Sequence, residues 1–301
     1  MNGAAPELRP ASTFFGAPVS DLEDLQPGDV AAVGVYCDHF SAGRPGGRFA
    51  ARQLRYSSTG SNAPVPRAVV DLGDFNVFPL EPQRTQDILS EQSQRVVASG
   101  AKLLALGGDY SVSPAFVKGL TAHYNTTSIG LIRISRRLDL LPVERKPSNG
   151  PWRCSATSEI ATVLSAGSSA IALLGARGDV AREESDRISE MTVIPAAEVA
   201  LKPGAAAAKA RSALAAVADR FFLSVDVDVL EPRFGTVALP RARGGLSLEQ
   251  LLAVLAVFNG MPFIGAELTG HVPDLDVPGR MATALMSGIA VQMLDCLSAQ
   301  A

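Results

Sequence analysis

The chain has 301 residues, 47% hydrophobic and 19% charged, with a formal net charge of −3. That balance excludes a disordered polyelectrolyte, and without a basic block nucleic acid is not an expected partner. The longest apolar run, residues 251–258, is far short of the ~20 residues that span a bilayer, and the first residues lack the basic and apolar regions of a leader; no membrane partner and a cytoplasmic location are expected. Strand and helix signals then alternate. Residues 29–36 (DVAAVGVY) read as a buried strand, and 67–73 (RAVVDLG) as the next. A helical period carries Ile88, Leu89, Val96 and Val97 within 85–101, which ends on a glycine stop. A strand at 102–108, a helix at 114–124, a strand at 128–134 and a helix at 158–167 follow. Strands at 170–176 and 192–195 precede a helix at 205–220; a strand at 221–229, a helix at 247–259, a strand at 263–268 and a helix at 281–298 complete the series. Near-continuous apolar strands imply a sheet covered on both faces. The alternation predicts an α/β fold: a three-layer α/β/α sandwich around a mainly parallel sheet of about eight strands. A single domain over 1–301 is expected, with 1–28 as an N-terminal extension.

Ligands of such sheets bind beyond the carboxyl ends of the strands. Three predicted strand ends are polar there: Gly107-Gly108-Asp109-Tyr110, Ser135-Arg136-Arg137-Leu138-Asp139, and Asp226-Val227-Asp228. Strand alternation places Asp226 and Asp228 on one face and, if it persists past Ile134, aligns Ser135, Arg137 and Asp139. Cys37, Cys154 and Cys296 are odd in number and widely spaced, which supports neither a disulfide framework nor a zinc site and suits a reducing compartment.

These strand ends carry a family likeness. LGGDYSVSPAFVKGL resembles an LGGDHSVT motif, SIGLIRISRRLDL is similar to IGVIHFDAHxDL, and FFLSVDVDVLEPRFGTV is similar to SxDxDVLDPAFAPG. Residues 33–55, 244–255 and 273–290 continue the likeness, so that it runs in order from about residue 30 to 298. The chain thus resembles the ureohydrolase (arginase/agmatinase) family, which implies the arginase/deacetylase-like fold and homo-oligomers such as trimers or hexamers. In that family two His and four Asp hold two manganese ions, whose bound water attacks a guanidinium carbon.

Transferred position by position, the resemblance implies a dismantled site. Tyr110 stands for the first His, Ser135 for a bridging Asp, and Arg137 for the second His, while Asp139, Asp226 and Asp228 remain. A guanidinium has only donors and cannot ligate a cation. Asn149 matches the family's proton-shuttling His, and Glu267-Leu268-Thr269-Gly270 matches a DxxE whose Glu grips the substrate. No metal or other cofactor is therefore expected. Three clustered carboxylates need a cation, and an ion-pair cluster of Arg137 with Asp226 and Asp228 is expected to supply it, with Arg136 turned to the other face. Asp139, Asp226, Asp228, Tyr110 and Arg137 are the candidate catalytic groups. Ser135, Asn149, Arg136, His39 and Glu267 are the candidate ligand contacts. Three functions stay open: a metal-independent enzyme for a small polar molecule, as in specialised metabolism; a non-catalytic pseudoenzyme that binds a ligand or regulates a partner; and a residual guanidino-compound hydrolase with an atypical metal site. The same cluster is equally compatible with a purely structural ion-pair network.

Overall fold

The computed structural model describes residues 12–38, 41, 44–58, 68–124, 129–138, 168–177, 191–234, 244–276 and 280–298. Eight strands form one sheet: β1 (Val30–Val35), β2 (Val69–Phe75), β3 (Lys102–Leu106), β4 (Ile129–Ile134), β5 (Ser168–Ala176), β6 (Met191–Pro195), β7 (Arg220–Asp226) and β8 (Phe263–Thr269). The spatial order is β2-β1-β3-β8-β7-β4-β5-β6, and every pairing is parallel. Parallel neighbours need crossovers, and helices supply them: α1 (Ala50–Ser58), α2 (Pro82–Ala98), α3 (Ser113–Tyr124), α4 (Ala196–Leu201), α5 (Pro203–Ala215), α6 (Leu248–Val257) and α7 (Met281–Ser298) are the helices of the described residues.

The central strands β1, β4, β7 and β8 have almost no exposed residue, as expected of a sheet with both faces covered. One core lies between the sheet and α5, α6 and α7 and includes Phe221, Leu251, Met286 and Met293; a second, under α2 and α3, includes Leu89, Phe116 and Phe222. Helix α7 is long and apolar enough to cross a membrane by composition, but Met286, Ile289, Ala290, Met293 and Leu294 on it are fully buried, so in this fold it is a core helix. The start of α6 follows local chemistry: Ser247 caps Gln250, whose side chain returns the bond to the Ser247 N–H.

The expected strands are all present, with small shifts of boundary. The predicted strand 221–229 stops at Asp226, where the chain turns into a 3₁₀ segment, Val227–Val229. The helix expected over 205–220 ends at Ala215. Helices α1 and α4 were not expected: α1 is polar along much of its length, and α4 is too short to show a period. The helix expected at 158–167 lies outside the described residues. Part of the N-terminal extension is core: Phe14 is fully buried, and its N–H donates to Asp71 Oδ2 (2.8 Å), which also receives Arg55 Nε (2.9 Å).

Candidate functional site

β3, β8, β7 and β4 are successive neighbours, so their carboxyl ends lie side by side at the centre of the sheet. At β3, Gly107 and Gly108 take positive φ angles of 91° and 80°. A β-carbon on Gly107 would lie 3.0 Å from the Ala51 nitrogen, so glycine is required both for the turn and for the close approach of α1. The chain then reverses at Asp109, whose Oδ1 accepts from Ser111 N (3.1 Å) and caps the turn Tyr110–Val112. That cap aims Tyr110 across the strand ends, where its Oη donates to Asp228 Oδ2 at 2.9 Å.

Asp226 closes β7 and caps the next turn by accepting Asp228 N at Oδ1 (2.8 Å). Its other oxygen accepts Ser135 Oγ (2.8 Å) from the end of β4. Ser135 Oγ in turn accepts the Arg137 N–H (3.2 Å). The two aspartates do converge, but through this capped turn rather than through strand alternation. Asp226 and Asp228 are both fully buried. Burial, and then the neighbouring charge of Asp226, push the Asp228 carboxyl up to about 7 against the opposing effects of Arg136, the Tyr110 bond and Arg137. Burial also holds the Tyr110 phenol well above its usual value, reinforced by Asp226 and Asp228.

The expected direction of Arg136 is corrected. The ion pair to Asp228 is made by Arg136, with Nε 3.6 Å from Oδ2. Arg136 therefore faces the cluster instead of turning away, because β4 ends at Ile134 and the strand period no longer governs the next residues. Arg137 lays its guanidinium 4.0 Å from the centroid of the Tyr110 ring, a cation–π contact, and its charge also acts on Asp228. Arg177, at the end of β5, donates to the Asp228 carbonyl (2.6 Å) and to the Gly244 carbonyl. Burial, and next the Arg136 charge, lower its pKa. In sequence Arg177 sits in a GxRG segment, and that was its only signal.

Two expected ligand contacts are enclosed. Ser135 is fully buried and its hydroxyl is committed to Asp226. Glu267 lies one layer deeper, in register with Ser224 of β7, which is in register with Arg133 of β4. Ser113 Oγ donates to Glu267 Oε1 at 2.5 Å, and Arg133 Nη1 donates to Ser224 Oγ at 3.0 Å. All four side chains are fully buried. This second polar layer was not foreseen, since Arg133 reads in sequence as an interruption of an apolar strand. Asp139, Asn149 and His39 lie outside the described residues.

Among the described residues, buried polar atoms around these strand ends that make no hydrogen bond include Arg136 Nε, Asp228 Oδ1 and Thr269 Oγ1. Thr269 is the register partner of Asp226, so its hydroxyl lies on the same face. Unsatisfied polar groups are rare in folded interiors, and several of those in this fold lie at these strand ends. A pair of divalent cations does not suit these donors. Tyr110 and Ser135 direct hydrogens at Asp228 and Asp226, and a guanidinium stands beside them, where metal ligands must present lone pairs.

The arginase family profile matches residues 28–295. Formimidoylglutamase of Halobacterium salinarum is 30% identical over 301 residues, covering 93% of this chain and 93% of its own. The mitochondrial agmatinase of Gallus gallus is 25% identical over 287 residues, 89% of this chain and 81% of its own. Among solved structures, proclavaminate amidinohydrolase from Streptomyces clavuligerus superposes with a TM-score of 0.83 at 21% identity, covering 98% of this chain and 100% of that one.

Proposed function

The chain belongs to the arginase family, and on that footing we propose that it is an enzyme for a small polar molecule that works without the family's binuclear metal centre. The observation that carries this reading is the cluster of unused polar atoms at the ends of β4, β7 and β8: a donor at Arg136 Nε, an acceptor at Asp228 Oδ1 and a hydroxyl at Thr269. A structural ion-pair network would be expected to satisfy its own members. This one satisfies Asp226 completely and leaves Asp228 half open.

In this reading Asp228 Oδ1 takes a proton from the bound molecule and returns it. The Tyr110 hydroxyl donates to the other carboxylate oxygen, with the Arg136 guanidinium at ion-pair distance from it, so the carboxylate keeps its place in both protonation states. Asp226 and Ser135 position the turn that carries Asp228. The relatives carry names for different substrates, so no particular substrate is transferred from them.

Elemental analysis of the purified protein tests the metal-free part. Manganese well below one ion per chain, with turnover or ligand binding indifferent to a chelator, is the expected result. Two manganese ions per chain, together with urea released from a guanidino compound, would overturn it. Asp228→Asn separates enzyme from binding protein: product formation should be lost while the fold and the melting curve are kept. A variant that retains full output would mark the site as non-catalytic.

A further inference from the structure

Arg136 is the least occupied donor of the site. Its side chain is 13% exposed, and the one polar group it approaches among the described residues is Asp228 Oδ2, at 3.6 Å. That is an ion-pair distance with no hydrogen bond in it. Nε is buried and unbonded. A guanidinium offers five N–H donors in a planar fork, and among the described residues no hydrogen bond satisfies that of Arg136 Nε.

Its surroundings favour an anion. The Arg177 N–H donates to the Arg136 carbonyl (2.8 Å), which fixes the ends of β4 and β5 together and brings a second guanidinium beside the first. The Nη bonds of Arg177 go to the Asp228 and Gly244 carbonyls. Both Asp226 oxygens and Asp228 Oδ2 accept protein donors. Of these two carboxylates, Asp228 Oδ1 alone is left without one among the described residues, on the same carboxylate that Arg136 approaches. The vacant donor and the vacant acceptor are therefore neighbours.

Resting on the metal-free reading above, we propose that Arg136 anchors an oxyanionic group of the ligand, a carboxylate or phosphate, while an adjacent O–H or N–H of the ligand donates to Asp228 Oδ1. This pairing of an unused donor with an unused acceptor suits a small acid carrying a donor next to its anionic group. A carboxylate matches the guanidinium fork with two parallel bonds. A cationic headgroup would meet Arg136 and Arg177 instead.

Four probes test this on the full-length protein at constant ionic strength: glycolate, acetate, inorganic phosphate and methylguanidinium, titrated by calorimetry and by thermal shift. Saturable binding of the anions is expected, glycolate tighter than acetate if a carboxylate is the natural group and phosphate tightest if a phosphoryl group is, with none by methylguanidinium. Arg136→Gln should weaken the anions by about tenfold or more, and Arg136→Lys by less, since the charge stays and the fork is lost. Asp228→Asn should act in the opposite direction and tighten acetate while narrowing the advantage of glycolate, which keeps the proposal testable should Arg136→Gln fail to fold. Equal affinity in Arg136→Gln, weaker acetate binding in Asp228→Asn, no saturable binding by any anion, or saturation by methylguanidinium would each overturn it. Metal content measured on the same samples separates the two readings. Stoichiometric manganese sinks the metal-free reading, whereas a metal-free protein indifferent to anions sinks only the assignment of Arg136.

Discussion

A β-carbon placed on Gly270 would lie 2.6 Å from Tyr110 Oη and 3.0 Å from Asp226 Oδ1. Gly270 also holds a φ of 86°, which side-chain-bearing residues rarely adopt. The phenol of Tyr110 thus fills the space that a side chain at 270 would need, and the two positions form one unit. Gly270→Ala is expected to cost about 1–3 kcal/mol through overpacking and backbone strain. Tyr110→Phe in the same chain should recover part of that loss by removing the oxygen in the closest contact. Urea denaturation of the four species of this double-mutant cycle reads the coupling; additive losses would show that the contact is relieved elsewhere.

Ser135 donates to Asp226 from 2.8 Å, so a carboxylate at that position would face a carboxylate. Ser135→Asp is expected to lower the melting temperature at pH 8, with a loss of about 1–3 kcal/mol from repulsion and the missing donor. Added manganese should not restore it, because Arg136 and Tyr110 still occupy the site. A melting curve that recovers with manganese would show that the metal site needs one residue to return.

Arg133 and Glu267 are fully buried and are bridged through Ser224, while Ser113 donates to Glu267. Burial raises the Glu267 pKa, while Ser113, Ser224 and Arg133 oppose that rise. Removing one charge from a buried set costs more than removing both. Arg133→Met alone should destabilise by about 3–5 kcal/mol. Arg133→Met with Glu267→Leu should recover most of it. Chemical denaturation decides, and a double variant as unstable as the single one would refute the pairing.

His271 is buried, with Nε2 3.1 Å from Thr283 Oγ1. Thr283 Oγ1 donates to Asp276 (2.8 Å), so the imidazole is the donor in the first contact. Burial lowers its pKa from the usual 6.5 to about 4, with Asp276 opposing. Above 6.5 neither the folded nor the unfolded chain protonates this residue, and its full contribution to stability is present. As pH falls from 6.5 to about 4 the unfolded chain gains a proton that the folded chain refuses, and stability drops by up to about 3 kcal/mol. Below about 4 this group adds no further loss. His271→Gln should flatten that part of the profile, as measured by urea midpoints across the range. An unchanged slope would place the effect on other groups.

The α/β alternation was legible because its signals are local. Apolar runs such as 129–134 and 263–268 carry the strand period and burial within themselves, and β4 and β8 form where those runs lie. Helix α1 was not, since a mostly polar segment becomes helical only when Ala50, Ala51 and Leu54 find the sheet. At the site, the residue types at the strand ends were readable, and so was the departure from the family motif. Their directions were not. Strand alternation was extended past Ile134 and Asp226, but both strands stop there, and a side chain beyond a strand end is aimed by its capping turn.

The sequence by itself determined the layered parallel fold, the family, and which residue types stand at the ends of β3, β4 and β7, because these follow from periodicity and ordered motifs along the chain. Only the tertiary structure decided that Arg136 faces Asp228 instead of turning away, that Arg133 and Glu267 form a second layer beneath the site, and that Tyr110 occupies the space opened by Gly270. Each of these depends on packing between strands that are distant in sequence, where distance and direction, and not residue type, set the electrostatics.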